Sequence, residues 1–222
     1  MNVKKTKVML ITRNPEETMA IRVDDANLEQ VHQFKYLGTQ ITEDARIETE
    51  LKCRMNIAKA KFSSMKSVLT SRKLKLSLKL RVLKCYIMSI FTYGCEAWTL
   101  TEVLENKIEA FEMWCLRRIG GISWRDRVTN EEVLQRMGTE RNLLKSVKQR
   151  QLRYFGHIKR RSGFLSQVLE GKLEGKRPRG RPRTNWMSNI ARWTGETRMG
   201  CTQMAADRHL WSVIASQPLE KR

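Results

Sequence analysis

Cysteine and histidine are few and poorly spaced for metal chemistry. The five cysteines (Cys53, Cys85, Cys95, Cys115 and Cys201) stand at wide, irregular intervals, and His32, His157 and His209 are the histidines that could join them. No Cys-x-x-Cys pair is present, and a structural zinc site takes four clustered ligands, so no metal site is expected. Several cysteines fall on apolar helical stripes, which points to reduced, buried thiols in an intracellular protein, nuclear or cytoplasmic. A nuclease would need carboxylates or histidines gathered around a metal, and no such cluster is visible. Long apolar runs are missing as well. The N-terminal segment leads into a short strand-like run and then Glu16 and Glu17, without the apolar stretch of a secretory signal. The longest apolar run, Cys85 to Cys95, is bounded by Lys84 and Glu96 and is too short to span a bilayer. No internal repeat is found. No cofactor, small-molecule substrate or membrane partner is expected.

Acid is also in short supply. Lys and Arg number 43 against 23 Asp and Glu, a net charge of +20 with a pI near 10.2. Such an excess repels itself in the folded state, and a polyanion relieves the repulsion. RNA or DNA is the first candidate; an anionic membrane face or an acidic protein is the alternative. The apolar fraction of 41% and charged fraction of 30% suit folded helices with charged outer faces rather than a wholly disordered chain. A chain of 222 residues is long enough to bury a core, hiding roughly 70% of its unfolded surface.

Hydrophobic spacing divides the chain. Lys7 to Thr12, a run near Ala20 to Val23, and Phe34 to Ile41 read as short strands, the last a strand or hairpin with Gly38 near its bend. From Thr42 the period changes to three and four: Ile47, Leu51, Met55, Ala58, Phe62, Met65 and Leu69 predict one long amphipathic helix. A second helix is expected from Leu76 to Thr92. A third begins after Thr99, where Thr99 and Glu102 form a capping-box pattern, and ends at Gly120-Gly121. Thr129 and Glu132 open a short helix that stops at Gly138, and Glu140 to Arg160 carries another apolar face. Glu170 to Pro182 reads as an exposed linker, followed by short helices at Asn185 to Trp193 and Thr202 to Ala215. The fold class is therefore mainly α: a helical bundle with a small N-terminal β remnant, and a basic extended linker leading to short C-terminal helices. The expected divisions are 1–42, 43–98, 99–161 and 162–222.

Positive charge is concentrated in three places. Lys66, Arg72, Lys73, Lys75, Lys79, Arg81 and Lys84 run without an acid among them, whereas a solvated helix ordinarily interleaves signs. The pattern returns in Lys145, Lys148, Arg150, Arg153, Lys159, Arg160 and Arg161, with Tyr154, Phe155 and His157 interleaved as stacking or core residues. The densest cluster holds Lys176, Arg177, Arg179, Arg181 and Arg183. Its centre, Pro178 to Pro182, resembles the AT-hook motif, in which an extended Arg-Gly-Arg-Pro segment enters a narrow minor groove. A solvated basic linker or a nuclear-import signal is the alternative. All but Lys84 and Lys145 of these three sets are the candidate nucleic-acid-binding residues.

The order of short signatures carries a resemblance. Lys4-Lys5-Thr6-Lys7-Val8-Met9 is followed by Phe34-Lys35-Tyr36-Leu37-Gly38 and Tyr93-Gly94-Cys95-Glu96-Ala97-Trp98. Then come Cys115 to Ile119, Ile122-Ser123-Trp124-Arg125-Asp126, Thr129-Asn130-Glu131, Arg153 to His157, Gly180-Arg181-Pro182 and Trp186. This order resembles the carboxy-terminal part of LINE-type (non-LTR) retrotransposon reverse transcriptases. The resemblance implies that Lys7 to Thr12 is a late palm strand, and that Phe34, Tyr36, Leu37 and Gly38 belong to a primer-grip hairpin. It implies that the helices from Glu43 to about Thr92 are thumb-like, with the remainder serving nucleic-acid handling. The family holds two metal ions on palm aspartates, including a Tyr-x-Asp-Asp turn. Here Asp24-Asp25 is the one Asp pair, follows no such tyrosine, and reads as a turn. The expectation is a nucleic-acid-binding fragment that is no enzyme on its own. An inert retrotransposon relic and an AT-hook-type DNA-binding protein are the alternatives.

Overall fold

The computed structural model describes residues 2–11, 17–23, 26–161, 163–169 and 184–217. Two units divide the chain, Met1–Ile57 and Ala58–Arg222, and the fold is mainly α. The first unit carries six short strands: β1 (Lys7–Val8), β2 (Arg22–Val23), β3 (Ala26–Asn27), β4 (Glu29–Gln30), β5 (Gln33–Tyr36) and β6 (Thr39–Thr42). They form separate pairs, β1 parallel to β4, β2 antiparallel to β3, and β5 antiparallel to β6. A two-stranded pair has no second layer to bury a face against. Accordingly no described residue from 2 to 49 is buried, and β1 is two residues long rather than the expected run to Thr12, which lies outside the described residues.

The β5–β6 hairpin is the best-made part of this unit. Its turn residues Leu37 and Gly38 have φ of 47° and 84°, the two left-handed positions that match a tight hairpin to the strands' twist. Glycine takes that conformation without strain; leucine does not. Below the turn runs α1 (Glu48–Ser64), with Glu48 and Glu50 in its first turn and Lys61 in its last, both favourable to the helix dipole. Glu50 is fully buried, and its carboxylate accepts Arg54 Nε at 2.6 Å and the Gln40 amide at 2.6 Å. Arg54 in turn donates to the Gly38 carbonyl. A buried i,i+4 ion pair thus ties the hairpin to the start of α1.

In the second unit the remaining helices are α2 (Lys66–Leu69), α3 (Leu76–Val82), α4 (Ser89–Phe91), α5 (Glu102–Gly120), α6 (Asn130–Met137), α7 (Leu143–Arg160), α8 (Phe164–Leu169), α9 (Trp186–Thr194), α10 (Arg198–Ala206) and α11 (Arg208–Ser216). The long helix expected through Leu69 breaks at Met65, and a π-helical segment, Leu83–Met88, joins α3 to α4. Two further expectations are corrected. The cap of α5 is Thr101, whose hydroxyl accepts the Leu104 amide at 3.4 Å, and not Thr99. Trp98 and Leu100 are fully buried, which keeps the chain extended two residues longer. The single helix expected over 202–215 is two, because Asp207 accepts the His209 and Leu210 amides and starts α11 afresh.

The core sits around α7, against which α5, α9, α10 and α11 pack. Phe91 stacks on Phe111 at 4.9 Å and meets Trp98 edge-on at 5.6 Å; Phe155 lies between Trp186 and Trp211. Each such buried side chain is worth about 1.5–3 kcal/mol. α7 starts without a cap of its own: Glu112 from α5 accepts the Asn142 amide at 3.0 Å and the Leu143 amide at 3.1 Å. Burial pushes the Glu112 carboxyl up, against the lowering effect of these amides. Burial likewise drives the Cys95 and Cys115 thiols up to about 12, so both stay protonated packing groups. Among the described residues no helix is long and apolar enough to cross a membrane.

Candidate nucleic-acid interface

The first basic segment occupies α2, the connection 70–75 and α3. Five of its six candidate cations, Lys66, Arg72, Lys73, Lys75 and Arg81, are exposed, as is Lys84, while Leu69, Leu83 and Ile87 turn inward. Lys79 differs: it is 9% exposed and belongs to the inner side of α3. Arg72, Lys73 and Lys75 precede α3 and are exposed, and among the described residues none of them pairs with a carboxylate.

The second segment divides more sharply. Lys148 is 5% exposed, with its ammonium 3.7 Å from Glu105 and 5.7 Å from the centre of the Trp193 ring. Glu105 also pairs with Arg192. Arg150 Nε donates to Glu96 at 2.8 Å and its Nη1 to Thr92 Oγ1 at 2.8 Å. These two cations join helices to one another. Further along, Arg153, His157, Arg160 and Arg161 are exposed on the last turns of α7 and just beyond, while Lys159 is half-buried over the Phe155 ring at 5.9 Å. Arg160 reaches the Ala205 carbonyl at 2.9 Å. Phe155 is fully buried and so unable to stack on a base; Tyr154 is half-buried, edge-on to Trp186 at 6.3 Å. Tyr154, His157, Arg161 and Phe164 line a depression of about 450 Å³ between α7 and α8. Its aromatic walls and cationic edge have the size and chemistry to admit a base with its phosphate.

The third set, Lys176, Arg177, Arg179, Arg181 and Arg183, with the Pro178–Pro182 motif, lies outside the described residues, as does Asp24-Asp25. No group of three or more His, Cys, Asp or Glu side chains among the described residues could hold a metal ion. In the hairpin, Phe34, Tyr36 and Leu37 are 42%, 58% and 74% exposed, an apolar tip held by the Glu50–Arg54 pair.

Three of the short signatures, Tyr93 to Trp98, Arg153 to His157 and Trp186, are architectural. Gly94 takes a left-handed φ of 71°, starting the turn that buries Cys95 and Trp98. The Cys95 carbonyl accepts Gln151 Nε2 at 2.7 Å, and the Glu96 carbonyl accepts Trp186 Nε1 at 2.8 Å. Gly156, in the middle of α7, lies beneath the Trp211 indole, whose Nε1 donates to the Leu152 carbonyl at 2.7 Å. A methyl group at 156 would overlap that indole. One signature residue stands apart: Trp124 is 83% exposed. Reading by charge missed it. The available signal was a tryptophan between Ser123 and Arg125 on a turn just past two glycines, where no apolar stripe calls for it.

Comparison with protein-family models finds no match, and no solved structure matches the chain. The chain is similar to an uncharacterized transposon-derived protein of Caenorhabditis elegans, 29% identical over 206 residues, a match covering 87% of this chain and 70% of that protein.

Proposed function

We propose that the chain is a transposon-derived nucleic-acid-binding fragment, akin to the carboxy-terminal part of a non-LTR reverse transcriptase and without a polymerase centre of its own. The likeness to a transposon-derived protein supports its origin. The observation that carries the binding reading is the acid-free stretch from Lys66 to Lys84. Six of its seven cations are exposed, whereas two acids of the same unit are engaged internally, Glu96 with Arg150 and Glu105 with Lys148 and Arg192. Unopposed cations on a folded helical surface attract phosphate and release its counterions. On this reading the segment of α2 and α3 is the thumb-like surface, Arg153, Arg160 and Arg161 extend the contact, and Phe34, Tyr36, Leu37 and Gly38 form a primer-grip-like hairpin. Lys79, Lys148 and Arg150 are held by the fold and support the surface rather than form it.

The test is titration of duplex DNA and RNA–DNA hybrid with the whole chain at rising salt. With about six phosphates neutralised, log K should fall against log salt with a slope of about −5. Binding that does not change with salt would overturn the reading. Primer extension with magnesium or manganese should yield no product. Replacing Arg179 and Arg181 by alanine should weaken all sequences alike; a selective loss on A·T-rich duplex would favour groove reading instead.

A further inference from the structure

The geometry points to Trp124 as a stacking platform for an unpaired base of single-stranded RNA or DNA, a role that rests on the nucleic-acid reading above and narrows it. Of the six tryptophans, Trp98, Trp193 and Trp211 are buried, and Trp114 and Trp186 are half-buried. Trp114 has Phe62 edge-on at 5.2 Å, Phe111 stacked at 6.1 Å and the Arg118 guanidinium at 4.3 Å. Trp124 presents 83% of its surface, and the Arg125 guanidinium lies over its ring at 5.8 Å. A side chain of this size is ordinarily buried, and its exposure marks a binding surface.

The residue is held in place, not trailing. It opens a short 3-10 turn, Trp124–Asp126, closed by a reciprocal cap: Asp126 accepts the Ser123 amide at 2.7 Å and Ser123 Oγ accepts the Arg125 amide at 3.3 Å. Gly121 before it and Arg127 after it are left-handed, with φ of 66° and 50°. A fixed ring loses little freedom on binding.

Its surroundings favour nucleic acid over an apolar protein face. The nearby acids have partners: Asp126 with the Ser123 amide, Glu132 with the Thr129 amide at 2.9 Å, and Glu131 with Arg141 at 3.4 Å. Arg125 and Arg127 are exposed, and among the described residues neither pairs with a carboxylate. An indole flanked by unopposed guanidinium groups offers a base its π-face and the adjoining phosphates a charge. In a duplex the bases are already stacked on one another, so this site takes single strands.

The experiment compares the whole chain with Trp124→Ala and Trp124→Phe on three probes: a short oligothymidylate, an abasic oligomer of equal phosphate number, and a blunt duplex. Wild type should prefer the base-bearing strand to the abasic one. Trp124→Ala should lose about tenfold to a hundredfold on oligothymidylate, little on the other two, and Trp124→Phe should recover most of the loss. In wild type alone, oligothymidylate should also shield the iodide-quenchable fraction of tryptophan fluorescence, a readout that needs no folded variant because Trp124 is the most exposed indole. Unchanged oligothymidylate binding by Trp124→Ala, an equal loss on all three probes, or no shielding would overturn the platform and leave the phosphate-binding reading standing. Failure of wild type to bind any of the three at low salt would overturn both.

Discussion

The hairpin of β5 and β6 and the helix α7 each depend on a buried carboxylate, yet they are supported by very different amounts of packing. Around the hairpin, no described residue from 2 to 49 is buried, and the Glu50–Arg54 pair is the anchor. In α7, nine of eighteen residues are buried, so the Glu105–Lys148 contact is one strand of a dense web. An element with little apolar burial opens by itself at low cost, whereas one embedded in a core opens only with its unit. The same chemical cut should therefore produce a global loss in one place and a local loss in the other.

The largest expected effect is at Glu105. Glu105→Ala removes the carboxylate facing a Lys148 whose side chain is 6% exposed, and should destabilise the helical unit by about 3–5 kcal/mol in urea unfolding. Combining it with Lys148→Met should restore most of the loss, since the desolvated charge is then gone as well. A single mutant that unfolds like wild type would show that the cluster is solvated and that the two regions are less different than burial suggests.

Next comes Gly156→Ala. In a free helix this change gains about 1 kcal/mol. Here the added methyl overlaps the Trp211 indole, so a loss of about 1–3 kcal/mol is expected, with the indole displaced from the Leu152 carbonyl. The sign decides the matter: any stabilisation would mean that α11 does not seat on α7 at this point.

Gly156 also shows what the sequence could and could not disclose. Helix periodicity placed the apolar faces well, and the glycines at 121 and 138 end their helices as left-handed caps, because both signals are local. A glycine in mid-helix is legible as an oddity, but its reason, an indole arriving from residue 211, is a long-range contact that no window contains. Charge reading had the same limit. Lys148 and Arg153 look alike in sequence, and one faces Glu105 while the other faces solvent. Thr101 displaced Thr99 as a cap through the burial of Leu100, again a tertiary cause.

A smaller effect is expected at Glu50. Glu50→Ala takes away the acceptor for both Arg54 and the Gln40 amide. Because the hairpin can open locally, the loss is limited to its own opening energy. Hydrogen exchange over Gln33–Thr42 should quicken by about tenfold, about 1.4 kcal/mol, while the helical unit's unfolding moves by less than about 0.5 kcal/mol. Unfolding of both units together would erase the distinction drawn between them.

The smallest effect concerns Glu112, where the helical unit uses a buried carboxylate as a cap. Burial holds its pKa above the ordinary carboxylate range, against the pull of the Asn142 and Leu143 amides. Between the ordinary and the raised value, the folded protein keeps a proton that the unfolded chain has released. Stability should then fall as pH rises through that window, and level off above it. Glu112→Gln keeps an acceptor for the α7 amides and cannot titrate, so it should lack this fall while staying within about 1 kcal/mol of wild type at neutral pH. Urea midpoints of both proteins at successive pH values give the comparison directly. A difference between them that stays constant across the window would mean that amide bonding, not burial, governs the proton on Glu112, and that even this inner end of α7 is wet.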